Sequence, residues 1–512
     1  MAASPPGHEL PFRLPLVTNL NTPQPAIRRI LSALMMAIFL GALDQTIVAV
    51  SMPAISRQFN DMELLAWVIS GYMVAMTVAT PIYGKLGDLY GRRWMILIGM
   101  GLFTFASLFC GLAQSMEELV LARVLQGIGA GGMVSVSQAI IGDVVPPRER
   151  GRYQGYFSSM YAAASVAGPV LGGFMTEYLS WRWIFWLNLP LGLFAWWYIR
   201  RTLAGLHTPQ RQPVIDYAGT LLMILGLTSL LLAITQIGQG HAWNDSAVLG
   251  LLAVALAGLG VFVWHERRFR EPLLPMRLFA NRSAVLCWCT VFFTSFQAIS
   301  LSVLIPMRFQ TVTGSGADSA ALHMLPLAIG LPIGAFLGGR ATARTGKFKP
   351  VILTGALLMP CAIVGMALTP PQAFLLSSLF MLLTGFASGL QFPTSLVGAQ
   401  NAAVPKDIGV STSTTNLFRS LGGAVGVACM SALLLAMLHQ LDAAQAGAAV
   451  SLEGGGDVLL DRLREATGEA RQALQQQMAL TFRDLLLASA SVSLLGLAAA
   501  VALPNHLLRG RD

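Results

Sequence analysis

Charged residues are scarce in this sequence: Asp, Glu, Lys and Arg make up 11% of its 512 residues, whereas 55% are hydrophobic. Soluble globular domains carry about 25% charged residues, so the composition argues against a soluble protein of this size. The apolar residues form runs of about 20, which is long enough for a helix to cross roughly 30 Å of hydrocarbon. We therefore expect an all-α membrane protein with many spans.

Cysteine is equally sparse, and all five residues fall in apolar runs: Cys110, Cys287, Cys289, Cys361 and Cys429. None has the spacing of a metal site, so we expect small packing residues rather than a metal centre or disulfides. The HExxH and GxSxG motifs are missing, and Gly346-Lys347 lacks the rest of a phosphate-binding loop. We predict neither an enzyme nor an ATP-driven pump, and no cofactor.

Fourteen apolar runs are long enough to be membrane spans. They cover approximately residues 30–52, 64–83, 94–113, 119–141, 156–178, 183–200, 217–236, 247–265, 284–307, 320–339, 350–369, 373–395, 409–438 and 484–504. An even number of spans places both termini on the same side of the membrane.

Lysine and arginine indicate which side that is. With a cytoplasmic N-terminus, 24 of the 33 Lys and Arg residues fall in cytoplasmic segments and 7 in outer segments, while Arg123 and Arg419 lie inside spans. Cytoplasmic loops of membrane proteins carry such an excess of positive charge. We expect a multi-pass protein of the bacterial inner membrane with both termini in the cytoplasm. The net charge of +9 anchors these loops at anionic lipid, and no nucleic acid partner is needed to explain it.

An internal repeat divides the chain. Gly84-Lys85 and Gly91-Arg92 recur with the same spacing as Gly339-Arg340 and Gly346-Lys347, so spans 1–6 resemble spans 9–14, and spans 7 and 8 are an inserted pair. This predicts a cytoplasmic tail, a six-helix bundle, an inserted helix pair with its linkers, a second six-helix bundle that includes an outer loop at 439–483, and a second tail. The predicted boundaries are 1–28, 29–202, 203–282, 283–504 and 505–512.

Six motifs lie in order along the first spans. They are LDQTIVAVSMP at 43–53, GKLGDLYGRR at 84–93, RVLQGIG at 123–129, GPVLGG at 168–173, WRWIFWLNLP at 181–190 and DYAG at 216–219. Together they resemble the major facilitator superfamily, and within it the 14-span branch of drug:proton antiporters. The resemblance implies two six-helix bundles that open alternately to the two sides of the membrane, with the proton gradient as the energy source.

Asp44 is the only carboxylate deep inside a predicted span. An Asp at the bilayer centre costs about 2.5–3.5 kcal/mol on insertion scales, so such a residue normally faces the protein interior and has a function. The helix rise puts it at nearly the same depth as Arg123, so a charge pair is expected. We predict that Asp44, Arg123 and Gln126 couple transport to protons. The alternative is a static ion pair that fixes helix packing.

The turn at 84–93 is basic and rich in glycine, which keeps the connection between spans 2 and 3 short. A positive hairpin alone is the simpler explanation, but it leaves Asp88 unexplained. The resemblance implies a gate in which Asp88 pairs with a nearby arginine and with the start of a helix near 407–409, where amide dipoles attract a carboxylate. The residues predicted for this gate are Gly84, Lys85, Gly87, Asp88, Gly91, Arg92 and Arg93.

Small residues and a proline mark span 5. Gly168 and Gly172 share one helix face, with Pro169 and Gly173 beside them, which predicts close helix packing. Proline also weakens the backbone hydrogen-bond ladder, so bending of this span during transport is the functional alternative to packing alone. From polar or aromatic character within spans, we predict a substrate cavity lined by Gln45, Phe296, Gln297 and Arg419.

The leading hypothesis is proton-coupled multidrug efflux, in which protons enter while an amphipathic or cationic small molecule leaves. One alternative is a dedicated exporter of an endogenous metabolite or siderophore, and another is a membrane receptor that does not transport. Asp44, Asp88 and Arg123 argue against a receptor because charges in lipid are costly. The expected partners are the substrate, protons and the lipid bilayer. A periplasmic adaptor is left open, and the sequence predicts no oligomeric state.

Overall fold

The computed structural model describes residues 24–59, 61, 64–205, 214–269, 271–314, 323–370, 372–445, 468–505 and 507–508. Most of both predicted tails, and residues 446–467 of the predicted outer loop, lie outside these ranges. The predictions made for those segments stay predictions.

Across the described ranges the chain forms α-helices and no β-strand. The helices are α1 (Gln24–Phe59), α2 (Leu65–Tyr90), α3 (Arg92–Leu112), α4 (Met116–Val144), α5 (Pro147–Tyr178), α6 (Trp183–Trp186), α7 (Asn188–Thr202), α8 (Tyr217–Gly238), α9 (Ser246–Glu266), α10 (Met276–Phe279), α11 (Arg282–Thr313), α12 (Leu325–Thr345), α13 (Lys349–Leu368), α14 (Phe374–Ala402), α15 (Ile408–Gln445) and α16 (Gly468–Ala502). A short 3-10 helix at Pro405–Asp407 leads into α15.

Twelve of the described helices are long and apolar enough to cross a membrane, namely α1–α4, α8, α9 and α11–α16. The two remaining predicted spans fall on α5 and on the α6–α7 segment. α5 has 32 residues, but its charged, serine and glycine residues lower its hydropathy. α7 has only 15 residues, because the helix breaks between Trp186 and Asn188. The all-α membrane architecture is therefore observed, and the count of fourteen spans stays a prediction.

The long helices pack in two groups. Helices α1–α7 contact one another and form the first bundle, while α11–α16 form the second bundle. The bundles meet where α5 crosses α12 and where α2 and α4 lie against α15. Helices α8 and α9 form a hairpin beside this seam, and α8 contacts both α2 and α15. Contacts across the seam therefore depend on the position of one bundle relative to the other.

Glycine brings the two bundles into backbone contact at one end of the seam. A Cβ atom on Gly151 of α5 would lie 2.9 Å from the Cα atom of Gly339 on α12, closer than real Cβ atoms approach. One turn along α5, a Cβ atom on Gly155 would lie 3.2 Å from the Cα atom of Phe336. The turns at this end hold clusters of Lys and Arg, so we refer to it as the basic end.

Candidate functional site

Asp44 is fully buried in the first bundle and accepts hydrogen bonds from three side chains. Arg123 Nη1 donates to Asp44 Oδ2 at 2.6 Å. Gln126 Nε2 and Asn188 Nδ2 each donate to Asp44 Oδ1 at 2.9 Å. The charge pair and its two amides come from α1, α4 and α7, so the carboxylate joins three helices.

Ser107 on α3 adds a fourth helix to the same cluster. Its hydroxyl oxygen accepts from Gln126 Nε2 at 3.2 Å and from Asn188 Nδ2 at 3.0 Å, and the hydroxyl donates to the Phe185 carbonyl at 2.9 Å. We call Asp44, Ser107, Arg123, Gln126 and Asn188 the polar network. The amide donors of Gln126 and Asn188 and the Nη1 donor of Arg123 are all matched to acceptors, whereas the buried Asn188 Oδ1 has no hydrogen-bond partner among the described residues. These hydrogen bonds help to hold the ion pair away from water.

Arg123 is only 1% exposed and is held by more than its carboxylate partner. Its Nε donates to the Val68 carbonyl at 3.1 Å, and its Nη1 also donates to Gln126 Oε1 at 2.7 Å. The guanidinium lies 4.2 Å from the centre of the Tyr72 ring. Removing one partner of a buried ion pair leaves an uncompensated charge and costs about 3–5 kcal/mol. Any change in the charge of Asp44 must therefore rearrange the surroundings of Arg123.

The sequence prediction named Asp44, Arg123 and Gln126 and missed Asn188 and Ser107. Asn188 did carry a signal, because it is the only amide side chain in the motif at 181–190. Ser107 sits in an apolar stretch of α3, where a single serine resembles an ordinary packing residue. Only the fold brings these two residues to the carboxylate.

The prediction of a turn over the whole of 84–93 is wrong, because α2 continues to Tyr90 and α3 begins at Arg92, which leaves only Gly91 between them. This segment lies against the start of α15, across the seam. Asp88 Oδ1 accepts from Arg92 Nη2 at 2.7 Å, and Asp88 Oδ2 accepts from the backbone N–H of Val410 at 3.0 Å. Val410 lies in the first turn of α15, where the unpaired amides attract negative charge. Arg92 also pairs with Asp143 at the end of α4. We call Asp88, Arg92, Asp143 and the Val410 amide the basic-end latch.

Two glycines allow this latch to close. A Cβ atom on Gly409 would lie 2.5 Å from Arg92 Nη1, and one on Gly84 would lie 2.9 Å from the Gly409 carbonyl oxygen. Gly91 ends α2 with a φ of 94°, which favours glycine.

The remaining predicted gate residues do not join the cross-bundle contact. Lys85 lines a separate cavity beside Tyr217. Arg93 Nη2 donates to the Arg200 carbonyl within the first bundle at 3.2 Å. A Cβ atom on Gly87 would make only ordinary contacts at 3.9 Å, so this glycine is not required by close approach.

Helix α15 contacts the first bundle along one stripe of residues spaced by three. Val410 meets Asp88, and Ser413 packs on Gly84. Asn416 Nδ2 donates to Gln138 Oε1 of α4 at 2.7 Å. Arg419 then lies over the ring of Tyr161 of α5, with 5.7 Å between the guanidinium carbon and the ring centre. Residues three apart are neighbours on a helix surface, so these contacts follow one another along and around α15 from the basic end to Arg419.

A cavity of about 460 Å³ begins where this stripe ends. It lies between α2, α8, α11 and α15, and Gln45 and Tyr161 also contribute to its wall. Met73, Met76 and Val427 are among its apolar lining residues. We call it the central cavity. Of the predicted cavity residues, the structure places Gln45 and Arg419 in its wall.

Phe296 and Gln297 are not among the residues that line the central cavity, and their predicted role in substrate binding stays a prediction. Gln297 is fully buried on the opposite side of α11, where its Nε2 donates to the Ser489 carbonyl of α16 at 2.8 Å. Phe296 is 5% exposed and packs in the core of the second bundle. α16 satisfies the amide of Gln297, and Phe296 belongs to an apolar cluster formed by α11, α15 and α16. The cavity contacts α11 through Ile299 and Val303 instead.

The predicted small-residue motif of span 5 packs against α1. A Cβ atom on Gly172 would lie 2.8 Å from the Ile47 carbonyl oxygen, and Gly168 packs closely on Thr46. Thr46 Oγ1 also donates to the Ala164 carbonyl at 3.0 Å. Pro169 is exposed, and nothing lies within 4 Å of a Cβ atom built on Gly173. Two of the four residues therefore hold α5 to the helix that carries Asp44, and two do not.

Among the described residues, no cluster of His, Cys, Asp and Glu is arranged to hold a metal ion. The arrangement instead offers a buried ion pair, an apolar cavity with one arginine, and a latch that joins two bundles. It therefore combines an ionisable carboxylate, a cavity of about 460 Å³ and a contact between the two bundles.

Comparison with known proteins relates this arrangement to a family. Residues 34–427 match the family described as Major Facilitator Superfamily. The chain is 36% identical over 407 residues to the multidrug transporter protein MdtP of Bacillus subtilis (strain 168), covering 79% of this chain and 75% of that protein. It is 33% identical over 408 residues to multidrug resistance protein 3 of the same organism, covering 79% of each. The crystal structure of the human organic anion transporter MFSD10 matches with a TM-score of 0.60 at 15% identity, over 91% of this chain and 99% of that one, and this likeness concerns the fold alone.

Proposed function

This chain belongs to the major facilitator superfamily, a family of transporters, and from that premise we propose that it is a proton-coupled multidrug exporter. It is an antiporter that moves amphipathic compounds out of a bacterial cell while protons move in. Its relatives named as multidrug transporter and multidrug resistance protein, at 36% and 33% identity, support this class of substrate.

The proposed orientation puts the basic end in the cytoplasm of the cell. The excess of Lys and Arg in the turns at this end supports it, since cytoplasmic loops of membrane proteins are enriched in these residues. The protein then has fourteen spans in the inner membrane and two cytoplasmic termini, and α5 and α7 cross the membrane within the first bundle. With the latch closed, the described conformation is shut towards the cytoplasm.

The observation that carries the proton-coupling proposal is the polar network. Asp44 is an ionisable group buried inside the first bundle, paired to Arg123 and held by two amides. A proton on Asp44 removes its negative charge and leaves Arg123 buried without a counter-charge. Because that state is unfavourable by several kcal/mol, protonation is linked to a rearrangement that gives Arg123 a new environment.

The network is directly connected to the central cavity. Asp44 is followed in the chain by Gln45, which lines the cavity, and Arg123 stacks on Tyr72, which is followed by the cavity residue Met73. A rearrangement of α1 and α2 around Arg123 therefore changes the cavity wall. This provides a physical route by which protonation and substrate binding influence each other.

The basic-end latch accounts for the second requirement of alternating access, which is that the cytoplasmic side can close and open. Rocking of the bundles that opens the basic end must separate Asp88 from the Val410 amide and Asn416 from Gln138. In this proposal these contacts stabilise the state that is closed to the cytoplasm. Substrate loading from the cytoplasm requires their release, and export follows when they form again.

The test is proton release from energised everted membrane vesicles, measured by dequenching of a pH-sensitive dye when amphipathic cations, acids and neutral compounds are added. Wild-type protein should release protons with some of these compounds, and Asp44→Asn should release none. Asp484→Asn is the matched control, because Asp484 lies outside the network and is exposed on α16. Both variants must be present in the membrane at wild-type amounts.

Each outcome separates the competing explanations. Release that is lost only in Asp44→Asn supports proton-coupled export through the network. Release that persists in Asp44→Asn would show that Asp44 and Arg123 form a structural ion pair without a role in proton coupling. The proposal that the protein is an exporter would still stand. No release with any compound in the wild type would contradict multidrug antiport and favour a dedicated exporter of one metabolite.

A further inference from the structure

The central cavity has an unusual balance of charge. Arg419 is the one charged side chain among the described residues that line it. Within the described part of the chain, Arg419 forms no ion pair, and its identified partner is the face of the Tyr161 ring. Asp44 lies on α1 next to the cavity residue Gln45, but its side chain is fully buried and is already neutralised by Arg123. The cavity therefore presents a positive charge to its contents and no negative one.

The other polar groups of the wall add little hydrogen-bonding capacity of their own. The hydroxyls of Thr77 and Thr235 each donate at 2.8 Å to a carbonyl one turn earlier in the same helix, and Ser70 is bonded in the same way. The amide nitrogen of Gln45 points at the sulfur of Met76 at 3.6 Å. These four donors are engaged locally, whereas Gln239, Ser420 and Tyr161 leave neutral polar groups in the wall. The guanidinium of Arg419 is therefore the one charged donor that the described lining offers to a polar ligand.

The position of Tyr161 leaves the N–H donors of the Arg419 guanidinium available to a ligand. An aromatic ring against one face of Arg419 holds the planar group by a cation–π contact and does not use its N–H donors. Those donors form a fork that matches the two oxygens of a carboxylate or the oxygens of a sulfonate. Met73, Met76 and Val427 supply apolar surface in the same cavity. A ligand complementary to this wall has an anionic head and an apolar body.

We propose that the central cavity binds amphipathic organic anions, with the carboxylate or sulfonate on Arg419 and the apolar body among the methionine and aliphatic side chains. This inference rests on the proposed export function and narrows it, because it replaces lipophilic cations by lipophilic acids as the preferred substrates. Like charges repel in a desolvated cavity, so a cation in the same position is disfavoured.

The test uses three probes with one dansyl body and different heads: dansyl-6-aminohexanoate with a carboxylate, its primary amide, and dansylcadaverine with an ammonium group. Binding to the purified full-length protein in lipid nanodiscs is followed by dansyl fluorescence. The wild-type protein should bind the carboxylate at least 10-fold more tightly than the ammonium probe. Arg419→Gln should weaken carboxylate binding at least 10-fold and leave amide binding within 2-fold, and Arg419→Lys should be intermediate because it keeps the charge without the fork.

Amide binding and the melting temperature serve as the folding controls, and Arg483→Gln on the exposed face of α16 is the matched control for loss of an arginine. Equal carboxylate affinity in wild type and Arg419→Gln, tighter ammonium than carboxylate binding, or no binding of any probe would each overturn the inference. Proton release with the ammonium probe and none with the carboxylate probe would overturn the proposed preference for anions. The proposal of proton-coupled antiport would still stand. Carboxylate-selective binding without proton release in vesicles would keep the inference and refute antiport.

Discussion

Asp88→Asn should shift the protein away from the conformation that is closed at the basic end. The substitution keeps an oxygen acceptor for the Val410 amide but removes the charge that faces the start of α15 and Arg92. A charge at a partly buried helix terminus contributes up to about 2 kcal/mol, and a hydrogen bond to a charged group about 1.5–3 kcal/mol. Arg92 retains Asp143, which limits the loss.

A net loss of about 1–3 kcal/mol in the closed state corresponds to a change of roughly 5- to 150-fold in the ratio of closed to open protein. The measurement is the distance between spin labels at Glu149 of α5 and Thr345 of α12, which are exposed near the Gly151–Gly339 contact. The five native cysteines are first replaced by serine or alanine. Pulsed electron resonance should find mostly the short distance in the parent protein and a larger share of the long distance in Asp88→Asn.

Asp484→Asn should leave the distance distribution unchanged. Asp484 is exposed on α16, which is not one of the helices described at the seam, and it pairs with its neighbour Arg483. A distribution in Asp88→Asn that is identical to the parent would refute the assignment of Asp88 to the latch. A change of the same size in the control would show that the labels report general loosening rather than the latch.

Four further substitutions test other contacts. Asn188→Ala should lower the free energy of unfolding by about 1.5–3 kcal/mol in denaturant titration and reduce proton release, because Asp44 loses a charged hydrogen bond; unchanged stability would show that this bond contributes little. Gly339→Val should keep the label distance long at the basic end, since its side chain meets the backbone of α5; a parental distribution would contradict this. Gly168→Val should impair folding and transport, whereas Gly173→Val should be tolerated, as nothing lies near its Cβ position; equal effects would refute the role of close packing on α1.

The charged residues of the site could be predicted because charge inside a membrane has few stable positions. Asp44 and Arg123 were matched in depth from the helix rise alone, and the structure brings them to 2.6 Å. For this pair a strong electrostatic requirement selects one partner from the few that geometry allows. The pairing of Asp88 with a helix start near 407–409 was instead implied by the family resemblance, and in the structure Asp88 contacts the amide of Val410.

Neutral residues gave weaker predictions. α11 is apolar over most of its surface, so its sequence does not reveal which side faces lipid, the bundle core or the cavity. Gln297 suggested a cavity wall, but an amide can equally be satisfied inside a bundle, and Ser489 on α16 does so. The missed roles of Ser107 and Asn188 have the same cause, because a neutral polar residue becomes part of a site only through a partner that is distant in sequence.

The position of α8 determines where a molecule dissolved in the membrane can reach the transport pathway. α8 lies across the gap between α2 and α15 and contributes Leu231, Ile234 and Thr235 to the cavity wall. α9 packs mainly on α8 and is little buried, so its surface is left to the acyl chains. The hairpin thus acts as a lateral seal on one flank of the transporter. On that flank, α8 and α9 stand between the surrounding lipid and the central cavity.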